Sequence, residues 1–259
     1  MAYRASRSLV TGASSGIGAA FVRALAARGS DLVLVARRTD RLRELASEVE
    51  AAHGIRAEVV TADLSEPAAG RALRTAISGE VDTVINNAGF GDHDPLVDAD
   101  PEVLERMIAV DVTALVDITR AFLPTMVQRR HGAIVNIAST AGFQPVPLMA
   151  AYGASKAFVL SFSEAVWQEA RPHGVKVLAL APGFTGTEFF EVAGNADATV
   201  GTPRTPADVA ATGLRALDRR STPPHVVDGA GNAVSAVASR LAPRRAVIPV
   251  VGRLMRHRP

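Results

Sequence analysis

Short apolar runs alternate with amphipathic segments of helix length along almost all of the 259-residue chain, and no other feature constrains its fold as tightly. The runs Ser8–Val10, Leu32–Val35, Ala57–Thr61, Thr83–Ile85, Ala133–Ile137 and Lys176–Ala181 have the length and composition of buried strands. Between them, Arg41–Ala52, Glu102–Arg129 and Ala154–Ala170 repeat apolar residues at the helical period. Two helices announce their starts. Asp100-Pro101-Glu102 offers an N-cap followed by proline at the first helical position, and Thr205-Pro206-Ala207-Asp208 does the same. Strands separated by helices imply right-handed crossovers and a parallel sheet covered on both faces. The expectation is a single doubly wound α/β domain over residues 1–228, with an extension at 229–259.

The first strand runs into Thr11-Gly12-Ala13-Ser14-Ser15-Gly16-Ile17-Gly18, and a helix follows. Glycines here permit a tight turn and close approach of the backbone to a pyrophosphate, while the helix N-terminus offers amide donors. A plain βα turn is the competing reading of such a loop. The second strand ends Ala36-Arg37-Arg38, with no acid at the place that binds a ribose 2′-hydroxyl; the two arginines suit a 2′-phosphate. They equally suit a solvated helix start, and NAD(H) is the alternative to the NADP(H) this pattern favours. Asp63-Leu64, closing the third strand, reads either as an adenine contact or as a cap.

The chain has 28 basic residues, of which only Lys156 and Lys176 are lysines, and two tyrosines. Tyr152 and Lys156 lie four residues apart on one helix face. With so few of either type, a chance pair at this spacing is expected about 0.015 times. A phenol near its ordinary pKa is a poor acid–base group at neutral pH, and an adjacent ammonium favours its ionised form. Ser139, at the end of the fifth strand, can donate to a substrate oxygen or cap the next turn.

Taken in order, Thr11-Gly12 with Gly16-Ile17-Gly18, Asn86-Asn87-Ala88-Gly89, Ser139, Tyr152 with Lys156, and Pro182-Gly183 resemble the short-chain dehydrogenase/reductase family over residues 6–228. The resemblance implies a Rossmann-type fold and hydride transfer between a nicotinamide and a carbonyl or secondary alcohol. It implies that Tyr152 is the acid in reduction and the base in oxidation. Lys156 then binds the nicotinamide ribose and tunes the phenol, and Ser139 orients the carbonyl. Gly12, Ser14, Ser15, Gly16, Ile17, Gly18, Asn87, Ala88 and Gly89 line the cofactor, and Pro182, Gly183 and Thr187 hold its carboxamide end. One position departs from the family. Asp111 stands where an asparagine usually holds a relay water, and it either pairs with Lys156 and orients a water or is an ordinary helical residue.

The segment 184–204, with Phe189 and Phe190, is expected to cover the substrate. Phe143, Pro145, Val146, Pro147, Leu148 and Met149 suggest an apolar pocket or ordinary core. No acidic residue follows Asp228, whereas Arg240, Arg244, Arg245, Arg253, Arg256 and Arg258 do. Apolar residues interleave these arginines, with Pro243 and Pro249 expected to break the stretch into short helices. Such a stretch fits a subunit contact, the mouth of its own domain or, less favoured, an acidic membrane surface. Nucleic acid is excluded for want of any base-reading motif. The absence of cysteine and the scattered histidines leave no metal or thiolate chemistry. With no apolar stretch of membrane-spanning length and no leader pattern, the expectation is a cytoplasmic homodimer or homotetramer acting on a hydrophobic small molecule. A non-catalytic dinucleotide-binding regulator is the alternative from another class.

Overall fold

A computed structural model describes residues 3–189 and 203–256. Most of the 184–204 segment, including Phe190, therefore lies outside the described residues, as does Arg258. Seven parallel strands form one sheet in the order β3-β2-β1-β4-β5-β6-β7. They are β1 (Arg7–Thr11), β2 (Asp31–Ala36), β3 (Ala57–Thr61), β4 (Thr83–Asn86), β5 (Gly132–Ile137), β6 (Val175–Ala181) and β7 (His225–Val227). The doubly wound architecture expected from the alternation is what forms. β7 was not foreseen: its three residues, His225, Val226 and Val227, are too few to display a period.

Helices cover both faces. On one side α1 (Gly16–Ala26), α2 (Thr39–His53) and α7 (Pro206–Asp218) bury Phe21, Leu25, Leu42, Leu45, Leu214 and Leu217 against Leu34, Leu178 and Leu180. On the other, α3 (Ala69–Ala76), α5 (Leu115–Arg129) and α6 (Ala150–Ala170) bury Leu73, Ile118, Phe122, Met126 and Val166 against Val33, Val84, Ile134 and Val177. Successive strand residues thus serve opposite cores, and the strands read as continuous apolar runs because neither face meets water.

The start signals act as expected. The Asp100 side chain accepts from Glu102 N at 2.9 Å to open α4 (Pro101–Ile108), and Thr205 and Asp208 form a reciprocal capping box at α7. The stretch expected as one helix from Glu102 to Arg129 is α4 and α5 joined by a π-helical turn at Ala109–Ala114, with Asp111 inside it. The extension forms α8 (Ala230–Leu241) and α9 (Arg244–Met255). Pro243 separates them, but Pro249 lies inside α9 and does not end it, contrary to expectation. The carbonyl it deprives of a donor belongs to Arg245, and both residues lie on the exposed side of the helix.

Gly70 brings α3 and α5 into backbone contact, where a Cβ would overlap the main chain of Asp117 and Ile118. Gly70→Ala should destabilise the fold by about 1–3 kcal/mol by forcing the two helices apart, read as a lowered urea midpoint at unchanged slope.

Candidate active site

The sheet order reverses between β1 and β4, so the loops after these two strands diverge and leave a crevice at their carboxyl ends. Asn87 stitches the two loops together. Its amide nitrogen Nδ2 donates to the carbonyls of Thr11 at 3.0 Å and Gly12 at 3.3 Å, while the backbone N–H groups of Asn87 and Ala88 both donate to Thr11 Oγ1 at 3.0 Å. The approach leaves no room for a side chain. Gly12, at φ 63°, would drive a Cβ into Asn87 and Ala88, and a Cβ on Gly18 would overlap the Gly12 carbonyl.

A cavity of about 610 Å³ opens here. The residues expected at it from Gly12 to Ile17, and Arg37, Arg38, Asp63, Leu64, Asn87, Ala88, Gly89, Ser139, Tyr152, Lys156, Pro182, Gly183 and Thr187, all line it. Gly18 is set back from it as the packing glycine, and Asp111 lies buried behind it. Phe143 does not line the cavity; it is buried against Val159 and Leu160, whereas Val146 and Met149 do line it. Asp63 Oδ1 accepts from Ser65 N at 2.9 Å and Ser65 Oγ at 2.7 Å, as its capping reading expects, and the residue also lines the cavity. Asn232, Ser235, Val251, Leu254 and Met255 of α8 and α9 close one wall, the mouth of its own domain being one of the three places the sequence left open for the extension without singling out these residues. Asn232 sits against Gly183, where a Cβ would strike its amide. No local signal marks these residues, because an apolar helix face looks the same whichever surface it covers.

Tyr152 and Lys156 are both buried on α6, with the Lys156 ammonium 5.5 Å from the centre of the Tyr152 ring. Ser139 Oγ caps the turn after β5 by accepting from Ala141 N at 3.1 Å, and its influence on Tyr152 favours the ionised phenol. Burial pushes the Tyr152 phenol above its ordinary value. The lysine and Ser139 pull it down, as the spacing predicts for the lysine, but a carboxylate the spacing did not count adds to the upward push. That carboxylate is Asp111. Its Oδ2 lies 3.1 Å from Lys156 Nζ, its Oδ1 accepts from Phe90 N at 3.1 Å, and Ser155 Oγ donates to Oδ2 at 3.3 Å. The π-helical turn around Asp111 presents it to α6, a recurrent use of such turns. Burial, the largest single influence, would lower the Lys156 pKa; the Asp111 charge, the Tyr152 oxygen and the Asp111 hydrogen bond together more than offset it, and the pKa lies above its ordinary value.

At the other end of the cavity, Arg38 donates to Ser14 Oγ at 3.1 Å and Ser15 Oγ at 2.7 Å. Arg38 and Arg41 also share the Glu188 carboxylate, at 2.8 and 2.6 Å. The two guanidiniums, Arg41 foremost, hold that carboxyl down at about 2.

A profile described as short chain dehydrogenase matches residues 7–197. The chain belongs to the short-chain dehydrogenase family. Members of this family are oxidoreductases that use a nicotinamide dinucleotide. The very-long-chain 3-oxoacyl-CoA reductase of Rattus norvegicus is 32% identical over 190 residues, which are 71% of this chain and 61% of that protein. Hence the chain spans less than two thirds of that relative's length. Among solved structures, a short-chain dehydrogenase from Sphingobium yanoikuyae in complex with NADPH is 36% identical with a TM-score of 0.82, covering 93% of this chain and 94% of that one. The bulky-bulky ketone specific alcohol dehydrogenase from Comamonas testosteroni is 30% identical with a TM-score of 0.76, covering 91% and 92%.

The cradle of this dehydrogenase fits a dinucleotide. α1 opens with no side-chain cap and no acid in its first turn, so its leading N–H groups remain available at the cavity wall. The glycines beside them let the loops pack this closely at the cavity edge. Removing the Asp111 charge by Asp111→Ala should cost about 3–5 kcal/mol, because Lys156 is left buried without its counter-charge; denaturant unfolding measures it. Asp111→Asn keeps the volume and should move the Tyr152-controlled limb of the pH–rate profile to lower pH, since the carboxylate raises the phenol pKa. An unchanged profile would remove Asp111 from the chemistry.

Proposed function

We propose that this short-chain dehydrogenase is an NADP(H)-dependent reductase of bulky hydrophobic ketones, or oxidises the corresponding secondary alcohols. The observation that carries the reading is the cluster of buried Tyr152 and Lys156 with half-buried Ser139 at one end of the cavity, and Arg38 and Arg41 gathered on the Glu188 carboxylate at the other. When bound, the nicotinamide supplies or accepts the hydride at its C4. Tyr152 gives its phenolic proton to the substrate oxygen in reduction and takes it back in oxidation. Ser139 Oγ donates a hydrogen bond to the same oxygen. Lys156 holds the ribose hydroxyls and offsets part of the burial that opposes phenolate. Asp111 acts through Lys156 as a positioning residue, anchoring the ammonium beneath the tyrosine ring.

The preference for the phosphorylated cofactor rests on Arg38. Its guanidinium already gathers an anion and two hydroxyls at the edge of the glycine loop, and a ribose 2′-phosphate presents the same acceptors with more charge. Gly12, Gly16, Ile17, Asn87, Ala88, Gly89, Pro182, Gly183 and Thr187 would hold the rest of the cofactor. The hydrophobic substrate is supported by the wall around Tyr152, where Phe90, Val146, Met149, Phe189, Val251 and Met255 gather, with the Phe189 ring 5.2 Å from that of Tyr152. We further propose a homo-oligomer, for which the exposed Phe158, stacked on Phe162 at 5.8 Å on α6, offers a surface.

Titrating the protein with NADPH and NADH should show tighter binding of NADPH. Arg38→Ala should weaken NADPH binding about ten- to a hundredfold, the loss of one charge-assisted contact, and change NADH binding little. Equal affinities in the wild type would defeat the preference. With a panel of aliphatic, aromatic and steroidal ketones, Tyr152→Phe should lower kcat about 10²–10⁴-fold at unchanged cofactor affinity. Activity surviving that change would overturn the proton-transfer assignment.

A further inference from the structure

The C-terminal helices use one face each to close the cavity and leave another uncovered. On α8, Ala236 and Ser239 are buried, while Val234, Val237 and Leu241 are 70, 59 and 81% exposed. Their spacing of three and four residues places them in one stripe along the helix. On α9, Val250 and Leu254 are 55 and 58% exposed and likewise share a face. Single exposed apolar residues need no explanation, but stripes on two consecutive helices do.

The C-terminal extension itself carries charge of one sign. No acidic residue follows Asp228 in the sequence. Arg240 and Arg244 are spent on the domain itself, the first stacked 4.6 Å over the Phe143 ring and the second donating to the Phe143 carbonyl at 3.3 Å. Arg245, Arg253 and Arg256 are exposed and make no ion pair among the described residues. The loop bearing Asp92, Asp94, Asp98 and Asp100 meets the end of α9, where His93 Nε2 lies 3.1 Å from the Met255 carbonyl, and it bounds the patch on that side.

We infer that the outer face of α8 and α9 docks on an anionic lipid surface, with the mouth of the cavity beside the contact. Apolar stripes flanked by unpaired arginines complement an interface of acyl chain and acidic headgroup. A second copy of the chain is a poorer occupant, because a twofold contact through this face would set its arginines against themselves. No helix among the described residues is long and apolar enough to cross a membrane, so the contact is peripheral. Leu254 belongs both to the exposed face and to the cavity wall, which joins the docking surface to the path a hydrophobic substrate would take.

Co-sedimentation of the full chain with vesicles tests this, comparing pure phosphatidylcholine with a phosphatidylcholine–phosphatidylserine mixture. The wild type should partition onto the mixed vesicles, only weakly onto the neutral ones, and less at high salt. R245Q/R253Q/R256Q should lower partitioning about a hundredfold, at about fivefold per charge. V234S/V237S/L241S, which touches no cavity residue, should also lower it while leaving the melting temperature and the turnover of a water-soluble ketone unchanged. That turnover reports the catalytic site separately from the docking face. Equal binding to neutral and anionic vesicles, no binding to either, or variants that partition like the wild type would overturn the inference. A fall in oligomer size in the serine variant, with vesicle binding intact, would assign the face to a subunit contact instead.

Discussion

Everything at the site depends on how closely the chain can approach itself where the sheet changes direction. β1 has β2 on one side and β4 on the other, so the loops leaving β1 and β4 must share a single crevice. Thr11 and Asn87 make the approach favourable by exchanging main-chain and side-chain hydrogen bonds, and the absence of Cβ atoms at Gly12 and Gly18 makes it possible. A side chain at either glycine would strike Asn87 or the Gly12 carbonyl and pry the loops apart. The crevice follows from topology; its width follows from glycine.

Around that crevice the chemistry is arranged by burial. Tyr152, Lys156 and Asp111 are all taken out of water, so each charge is felt strongly by its neighbours. A neutral asparagine at position 111 would leave the lysine to act on the tyrosine alone. The carboxylate pairs with the lysine directly, secures its ionised state and takes back part of its influence on the phenol. The consequence is a site whose proton donor is held more firmly than the Tyr152–Lys156 pair by itself would suggest.

Local features were legible in the sequence because their physics is local. The caps at Asp100 and Thr205, the place of the glycine loop between a strand and a helix and the shared helix of Tyr152 and Lys156 depend on a few successive residues, and the structure has them. The π-helical turn at Ala109–Ala114 was not, since it depends on packing between helices and not on propensity. Nor was the place of α8 and α9. Their apolar and basic residues are consistent with several partners, and only the path of the chain after β7 decides that Asn232, Val251 and Met255 meet the cavity.

What the sequence determined by itself is the parallel α/β architecture, the glycine-rich turn between β1 and α1 and the candidate acid–base pair, each set by periodicity or by spacing within one element. Tertiary structure decided the rest: that Asp111 reaches Lys156 across two helices, that Glu188 occupies the arginines beside the glycine loop, and that the C-terminal helices form a wall of the cavity. These contacts join residues up to about 150 positions apart, as Arg38 and Glu188 are. Their energies depend on distance and burial in space, which periodicity along the chain does not encode.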